Sequence, residues 1–326
     1  MKKIKVLHFE LSDRVGGIET FLFNVYRCID RNKVQFDFIT IADTPALGEE
    51  LEGLGGRIYR VSEYKHIFKY YKDIVKIVRK NDYDIIHIHK NSATNIIPII
   101  AAKQCGKKVI VHAHNTLPSV GKIAYLTHMV NRNFMYKNCI MHLACSTEAG
   151  EWLYGNKKFA VIHNGIDLLN YKYSEDYRNE IRQEFNILKS DFVIGNVGRF
   201  ENQKNQARLI EIFKYIHDKD EKAKLLIVGD GKNRKLLMDF VDQQDLGKWV
   251  IFAGIRKDVY KILSAIDCFV MPSLYEGLPI AAVEAQAAGC KIFLADTISK
   301  ETELTEYVKM ISFLWEMLPT HLVTII

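Results

Sequence analysis

The sequence predicts an α/β protein of two doubly wound domains in tandem, each a parallel sheet covered by helices. At 326 residues the chain exceeds one ordinary core and suits two domains of about 150 residues each. Short aliphatic runs alternate with helical patterns along the chain, as they do in βαβ units. The alternation pauses at the polar stretch YKYSEDYRNEIRQEF and then restarts. We therefore predict a domain of residues 1–170 and a domain of residues 171–326.

Buried parallel strands read as nearly continuous apolar runs, and such runs locate the strands of both domains. The runs of the first domain are KIKVLHFEL, VQFDFIT, RIYRV, DIIHIH, KVIVHAH, MHLACS and a last one near FAVIHNG. Those of the second domain are DFVIGNVGRF, KLLIVGD, VIFAG, CFVMPS and KIFLAD. Ligands of such sheets bind beyond the carboxyl ends of the strands. Function is therefore expected on the loops after the strands, at a central cleft that the two domains face.

The composition excludes several classes of protein. Apolar residues at 48% and charged residues at 26% are typical of globular proteins. No apolar run approaches the ~20 residues of a membrane span, and MKKIKVLHFEL fits a first strand better than a signal peptide. Six scattered cysteines without a CxxC indicate neither a zinc site nor disulfides. A cytoplasmic protein without a nucleic-acid partner is expected.

Positive charge is concentrated in the first domain. Residues 1–170 contain 24 Lys and Arg against 16 Asp and Glu, a net charge of +8, whereas the remainder contains 21 against 23. Five lysines, at positions 65, 69, 72, 76 and 80, recur at helical spacing opposite Phe68, Tyr71, Val75 and Val78. Such a helix can lie on an anionic membrane or be the solvated outer helix of the domain, and the second interpretation is favoured.

The stretch EGLPIAAVE places two glutamates on either side of a turn into a helix. Pro279 is predicted at the first helical position, and Gly277 permits close approach of a ligand to the backbone. Free N–H groups at the start of the helix suit a phosphate. Glu284 flanks the predicted buried face, where ligand hydroxyls would satisfy it, while Gln286 is predicted to point away from that face. Glu276 would contact a second part of the same ligand.

Three further loops contain candidate ligand-binding residues. GRFENQK places Arg199 and Lys204 five residues apart, where two cations can hold a diphosphate. SDRVGGIET places Gly16 and Gly17 before a helix, without the third glycine of a dinucleotide motif. VHAHNT ends a strand with His114, for which a structural and a functional role are equally open.

These motifs, taken in order, resemble those of the retaining glycosyltransferases of family 4, which have the GT-B fold of two Rossmann-like domains. The resemblance covers roughly residues 1–310 and rests on EGLPIAAVEAQAAG, on the Arg199 to Lys204 spacing and on VIHNGID. It implies that Glu284 holds the ribose of the donor nucleotide and that Glu276 contacts the donor sugar. It implies diphosphate contacts from Arg199, Lys204 and the backbone of the turn, which consists of Gly277, Leu278 and Pro279.

The resemblance also implies roles for the first domain. The Gly16 and Gly17 loop would close over the donor phosphate and sugar, and His114 would approach the sugar near the reacting centre. Asn115 stands where many members have Asp. The first domain would bind the acceptor.

The implied reaction moves a sugar from a UDP or GDP sugar to an acceptor hydroxyl with retention, in surface polysaccharide synthesis of the capsular or exopolysaccharide type. The resemblance implies front-face displacement, in which the donor phosphate helps to deprotonate the acceptor and no protein carboxylate acts as a nucleophile. No cofactor and no metal is expected, and DYD at residues 82–84 is interpreted as a turn because it precedes a strand. A lipid-linked acceptor and peripheral contact with the anionic inner face of the cell membrane would give the basic first domain a purpose.

The ending FLWEMLPTHLVTII does not fit the family, whose members usually continue with helices that complete the second domain. We therefore expect a truncated second domain, which would put activity in doubt. Two rival functions follow: a nucleotide-sugar epimerase of the same fold, and a degenerate, non-catalytic nucleotide-binding protein. An oxidoreductase is disfavoured by the glycine pattern.

Overall fold

The structure is a computed structural model that describes residues 2–116 and 121–313. The chain divides into two compact units, with the division in sequence between Gly165 and Ile166. Each unit is built on one parallel sheet with helices between successive strands. The predicted fold class, two doubly wound α/β domains, is confirmed.

The described part of the first unit contains a seven-stranded sheet in the order β3-β2-β1-β4-β5-β6-β7. Its strands are β1 Ile4–Leu11, β2 Val34–Thr40, β3 Ile58–Arg60, β4 Ile85–Lys90, β5 Lys108–Ala113, β6 Met141–Ala144 and β7 Ala160–Val161. Its helices are α1 Gly17–Cys28, α2 Gly48–Gly53, α3 Ile67–Asn81, α4 Ile97–Gln104, α5 Lys122–Lys137 and α6 Thr147–Tyr154. The strand order reverses between β1 and β4, so the loops that follow these two strands lie at the switch point of the sheet.

The second unit, as far as residue 313, contains a six-stranded sheet in the order β10-β9-β8-β11-β12-β13. Its strands are β8 Phe192–Val197, β9 Ala223–Val228, β10 Val250–Gly254, β11 Cys268–Met271, β12 Lys291–Ala295 and β13 Val308–Ile311. Its helices are α7 Glu175–Glu184, α8 Gln206–His217, α9 Arg234–Gln243, α10 Val259–Ala265 and α11 Ile280–Ala287. The switch point of this sheet lies between β8 and β11.

Each predicted strand contains a strand of the structure, and β13 was missed. β13 pairs with β12 at the edge of the sheet, and its residues are half-buried or exposed. An edge strand of this kind lacks the apolar run by which buried parallel strands are recognised. The unusual ending, residues 314–326, lies outside the described residues.

The apolar face predicted for the basic helix α3 is partly wrong. The helix buries Tyr70, Ile74 and Val78 against the sheet, whereas Phe68 is 84% exposed. The helix therefore buries a different row of apolar residues from the predicted one. Two of its faces are partly apolar, and tertiary packing determines which of them is buried.

One face of the first sheet buries a group of histidines beneath α1. The rings come from β1 (His8), β4 (His87 and His89) and the end of β5 (His112 and His114), and adjacent ring centroids lie 4.2–5.7 Å apart. Phe21 of α1 contacts three of the rings. Burial lowers the pKa of His8 to about 3 and that of His112 to about 4. The histidines are therefore neutral in the folded protein at physiological pH.

This neutrality predicts that acid weakens the fold. An unfolded histidine binds a proton below about pH 6.5, whereas folded His8 and His112 do so only near pH 3 to 4, so stability is present above pH 6.5 and is lost as the pH falls. Each such histidine contributes a slope of about 1.4 kcal/mol per pH unit. Urea unfolding between pH 4.5 and 7.5 measures it, followed by the fluorescence of Trp152 in a background in which Trp249 and Trp315 are replaced by Phe.

His112→Leu is the diagnostic variant, because neither ring nitrogen of His112 has a hydrogen-bond partner among the described residues. The slope of its unfolding free energy against pH should be smaller than that of the unaltered protein by the contribution of one histidine, about 1.4 kcal/mol per pH unit. The control His66→Gln, at an exposed position, should keep the steepness of the unaltered protein. Equal slopes for His112→Leu and the unaltered protein would contradict the assignment.

Candidate active site

The loops that follow β8 and β11 are held together at the carboxyl edge of the second sheet. β8 and β11 are parallel neighbours, with Cys268 paired with Ile194, so their following loops leave from the same edge. The amide of Leu274 donates to the carbonyl of Gln203 at 2.8 Å, and the side chain of Gln203 donates to the carbonyl of Tyr275 at 2.9 Å. Two loops that lie about 70 residues apart in sequence thus form one surface.

Lys204 and Glu276 meet on this surface. Lys204 Nζ lies 2.6 Å from Glu276 Oε1, and both side chains are largely buried. The contact is a close, largely buried ion pair. The lysine stem packs over Gly198, where a Cβ would lie 3.3 Å from Lys204 Cδ. A carboxylate has about four lone-pair sites, so Glu276 can accept a ligand hydroxyl while it remains paired with Lys204.

Arg199 is more exposed to solvent than Lys204. Its side chain is 40% exposed and lies 3.9 Å from Glu201, while its carbonyl accepts a hydrogen bond from Gln206. The backbone is therefore fixed and the guanidinium faces solvent. The structure places both predicted cations on one loop, with one buried and one accessible to an anion.

Glu284 lies on α11 and is buried, with 8% of its surface exposed. Burial raises its pKa to about 7, and a hydrogen bond of 2.5 Å from the Tyr171 hydroxyl to Oε1 opposes that rise. Tyr171 ends a 3₁₀ helix, Leu168–Tyr171, whose first turn is capped by Asp167. Sequence reasoning missed Tyr171, although the NGID motif that precedes it marks the cap.

The start and the faces of α11 differ in detail from the prediction. The helix begins at Ile280, so Pro279 lies one residue before it, and no side chain caps its first N–H groups. The Leu278 side chain is buried, which leaves backbone as the part of this residue that a ligand could meet. Gln286 does not point away from the core: it is 5% exposed and donates to the carbonyl of Thr302 at 2.8 Å. Helical spacing predicted that this side of α11 faces solvent, but segment 302–305 covers it.

A glycine loop after β9 supports the Arg199 loop and was not predicted. Gly229 has φ +134°, and a Cβ there would lie 2.1 Å from the carbonyl oxygen of Gly198. A Cβ at Gly231 would lie 2.6 Å from the carbonyl oxygen of Phe200. The two backbones approach so closely that side chains are excluded. The signal in the sequence was VGDG directly after a strand.

Gly16 and Gly17 lie at the carboxyl edge of the first sheet. Gly16 is extended, with φ −147°, a conformation open to any residue. A Cβ at Gly17 would meet nothing within 4 Å. Backbone strain does not require a glycine at position 16, and crowding does not require one at position 17. Close approach of a ligand to the backbone would explain both glycines. Glu19 is structural, since it accepts hydrogen bonds from the amide and the hydroxyl of Ser12.

His114 is the outer member of a hydrogen-bonded chain of imidazoles. His8 Nδ1 lies 3.1 Å from His89 Nε2, and His89 Nδ1 lies 2.8 Å from His114 Nε2. Burial holds the pKa of His114 well below its usual value, with His112 adding to the effect. A neutral ring anchored at one nitrogen can offer the other to a ligand. Asn115 is used locally, because its Oδ1 accepts from the amide of Thr116.

A buried ion pair beside this edge was also missed. Lys90, at the end of β4, is 5% exposed and pairs with Glu10 near the end of β1. Glu10 has φ +84° and lies at a register shift in β1. Strained residues of this kind collect at functional sites. The signal was a lysine that ends an otherwise buried strand.

The histidines are also the groups of described residues best able to hold a metal. Two triads, His8 with His87 and His89, and His89 with His112 and His114, bring three ring nitrogens within 4.8 Å of one another. The contacts of 2.8 and 3.1 Å are hydrogen-bond lengths, whereas nitrogens bound to zinc at 2.0–2.1 Å lie ~3.3 Å apart. The arrangement fits imidazoles bonded to one another better than a ligand set. DYD contributes to a turn, where Asp84 accepts from the amide of Lys5.

Comparisons with known proteins match both halves of the chain. Residues 15–169 match Glycosyltransferase Family 4, and residues 177–310 match Glycosyl transferases group 1. The chain is 31% identical to the putative glycosyltransferase EpsF of Bacillus subtilis over 311 residues, which are 92% of this chain and 81% of that protein.

Two further proteins support the assignment. A UDP-Gal:alpha-D-GlcNAc-diphosphoundecaprenol alpha-1,3-galactosyltransferase of Escherichia coli is 27% identical over 88% of this chain and 78% of its own length. The crystal structure of Anabaena HepE in complex with UDP-glucose superposes with a TM-score of 0.82 at 20% identity, covering 99% of this chain and 88% of HepE, and shows the shared fold. No helix among the described residues combines the length and apolar character that crossing a membrane requires.

Since both halves of the chain match in order, and EpsF is similar over most of its length, the chain belongs to glycosyltransferase family 4 and is a glycosyltransferase of the GT-B fold.

Proposed function

We propose that the enzyme transfers a hexose from a UDP-sugar to a hydroxyl of a lipid-linked saccharide, with retention, during surface polysaccharide assembly. Two relatives support the substrate classes: HepE was crystallised with UDP-glucose, and the E. coli enzyme is named for UDP-Gal and a diphosphoundecaprenol acceptor. A capsular polysaccharide glycosyltransferase, CapH of Staphylococcus aureus, supports the process. Among UDP and GDP sugars, these relatives favour UDP.

The observation that carries the proposal is the group of three charged side chains on the second unit. Glu276 is ion-paired with Lys204 at 2.6 Å, and Glu284 is buried eight residues further on. Burial raises the pKa of Glu284 to about 7, and the one hydrogen bond from Tyr171 offsets that desolvation only in part, so a ligand hydroxyl would stabilise the carboxylate further. A nucleotide sugar supplies hydroxyls for the carboxylates and phosphates for the lysine and the helix start.

In this proposal each residue has one role. Glu284 accepts from the ribose hydroxyls, and Glu276 accepts from hydroxyls of the donor sugar. Arg199 and Lys204, with the backbone of Gly277, Leu278 and Pro279, bind the diphosphate and stabilise the charge that grows on it as the glycosidic bond breaks.

Neither glutamate acts as a nucleophile in this proposal. Glu276 is already neutralised by Lys204, and Glu284 is bonded to Tyr171. The acceptor hydroxyl attacks the sugar carbon from the face that the diphosphate leaves, and its proton passes to a donor phosphate oxygen. Gly16 and Gly17 leave room for the donor in the first unit, and neutral His114 donates to a sugar hydroxyl.

Substitution Glu284→Gln should weaken UDP binding by about tenfold or more, because hydrogen bonds to a charged carboxylate contribute ~1.5–3 kcal/mol. Affinity in the unaltered enzyme should rise between pH 6 and pH 8. Ribose hydroxyls favour the charged form of Glu284, whose pKa is about 7 without them, so binding competes with its proton below that pH. Calorimetric titration with UDP measures both effects.

The pH effect of Glu284 must be separated from titration of the diphosphate itself. Glu284→Gln should remove only the part that belongs to the glutamate, while Glu306→Gln, at an exposed glutamate of the same unit, should behave as the unaltered enzyme does. If Glu284→Gln binds UDP normally, the ribose role is wrong. Tighter binding of GDP than of UDP would overturn the choice of nucleotide.

Substitution Lys204→Gln should lower kcat by about 100-fold or more, since a preorganised cation on a leaving group contributes several kcal/mol to the transition state. Because this variant leaves Glu276 buried without its partner, the double variant Lys204→Gln, Glu276→Gln is needed, and it should fold normally yet remain slow. Turnover is followed as UDP release with an acceptor present. A double variant with nearly normal kcat, or an epimerised donor formed without acceptor, would refute the transfer mechanism.

We further propose that turnover needs no metal. Dialysis against EDTA should leave kcat unchanged, because Arg199, Lys204 and the helix start supply the positive charge that a divalent cation would otherwise provide. Activity that is lost in EDTA and restored by Zn²⁺ or Mg²⁺ would contradict this, and loss of the Zn²⁺ effect in His89→Leu would place the ion at the histidines.

A further inference from the structure

Helix α5 of the first unit exposes a row of large apolar side chains. Four of them recur every three or four residues and so lie on one face: Ile123, Leu126, Val130 and Phe134, with exposures of 83%, 63%, 76% and 41%. The helix buries His128 and Met135 on its other side. A polar outer face is the norm for a helix that covers a sheet, so this face is organised for contact with something apolar.

The charge around this face is predominantly positive. Lys122, Arg132 and Lys137 lie on α5 and Lys157 and Lys158 follow α6, whereas α6, which packs against α5 through Trp152, contributes Glu148 and Glu151. Lys122 and Lys137, at the two ends of α5, are both exposed. An apolar stripe between cations, on a helix that itself contains no acidic residue, is the composition of helices that lie in the interface of anionic membranes.

Helix α3, the basic helix that the sequence singled out, lacks this arrangement. Its lysines are exposed, but its row of apolar side chains, Tyr70, Ile74 and Val78, is buried against the sheet. Its exposed apolar residues, Ile67 and Phe68, lie together at one end of the helix. It can attract anionic lipid but offers little apolar surface to insert.

We propose that α5 is the surface by which this enzyme lies on an anionic membrane, with the Ile123, Leu126, Val130 and Phe134 face inserted at the level of the headgroups. A second copy of the chain is a poorer occupant, because two-fold pairing of this face would bring its lysines against one another. The proposal gives the lipid-linked acceptor of the proposed function a place of delivery. Its evidence, exposure and charge, does not depend on that function.

The test is co-sedimentation of the full chain with vesicles made of equimolar phosphatidylcholine and phosphatidylglycerol, or of phosphatidylcholine alone. Binding is expected to the anionic vesicles and to weaken with salt. Leu126→Glu should lower the partition coefficient by about tenfold or more, since it replaces an inserted apolar group with a charge of the same sign as the lipid. Leu236→Glu, at a leucine of matched exposure on α9 (67% against 63%), should have no effect.

Three results would overturn the proposal: normal vesicle binding by Leu126→Glu, loss of binding in Phe68→Glu instead, or equal binding to both kinds of vesicle. Concentration-dependent dimers that Leu126→Glu abolishes would assign the face to a second copy. UDP binding, measured by thermal shift on the same variant, should be unaltered. Failure of membrane docking is thereby separated from failure of the proposed nucleotide site.

Discussion

The parallel pairing of β8 with β11 is the constraint on which the candidate site depends. These strands are neighbours in the sheet although β9, β10 and three helices separate them in sequence. Their loops therefore leave the same edge and are joined by hydrogen bonds through Gln203. Lys204 and Glu276 come within 2.6 Å because of this pairing. The backbone of Gly229 and Gly231 packs closely against Gly198 and Phe200 of the loop after β8.

Burial sets the chemistry of the titratable groups in both units. In the second unit it raises the pKa of Glu284 to about 7, so this carboxylate titrates near neutral pH. In the first unit it keeps the histidines neutral, so they bond to one another and offer His114 as an uncharged group. The same desolvation thus brings the titration of a carboxylate close to neutral pH in one unit and makes stability depend on pH in the other.

Sequence patterns located most of the fold because the buried strands of parallel sheets are nearly continuous apolar runs. The errors arose where that signal is weak. β13 is a four-residue edge strand whose apolar run is interrupted by Lys309, and α3 has two partly apolar faces. The side of α11 that contains Gln286 was predicted to face solvent but is covered by segment 302–305. Tyr171, Lys90 and Glu10 were missed because nothing in their local sequence tells which distant residue they contact.

The sequence by itself determined the two-domain α/β class, the loops that carry the candidate residues, and the resemblance to family 4, because spacing within a loop is a local property of the chain. Only the tertiary structure decided which of these residues touch: Lys204 with Glu276, Tyr171 with Glu284, and His89 with His114. It also decided that α5, rather than α3, presents an exposed apolar row. Contacts and exposure depend on how distant segments pack, and local spacing contains no record of that packing.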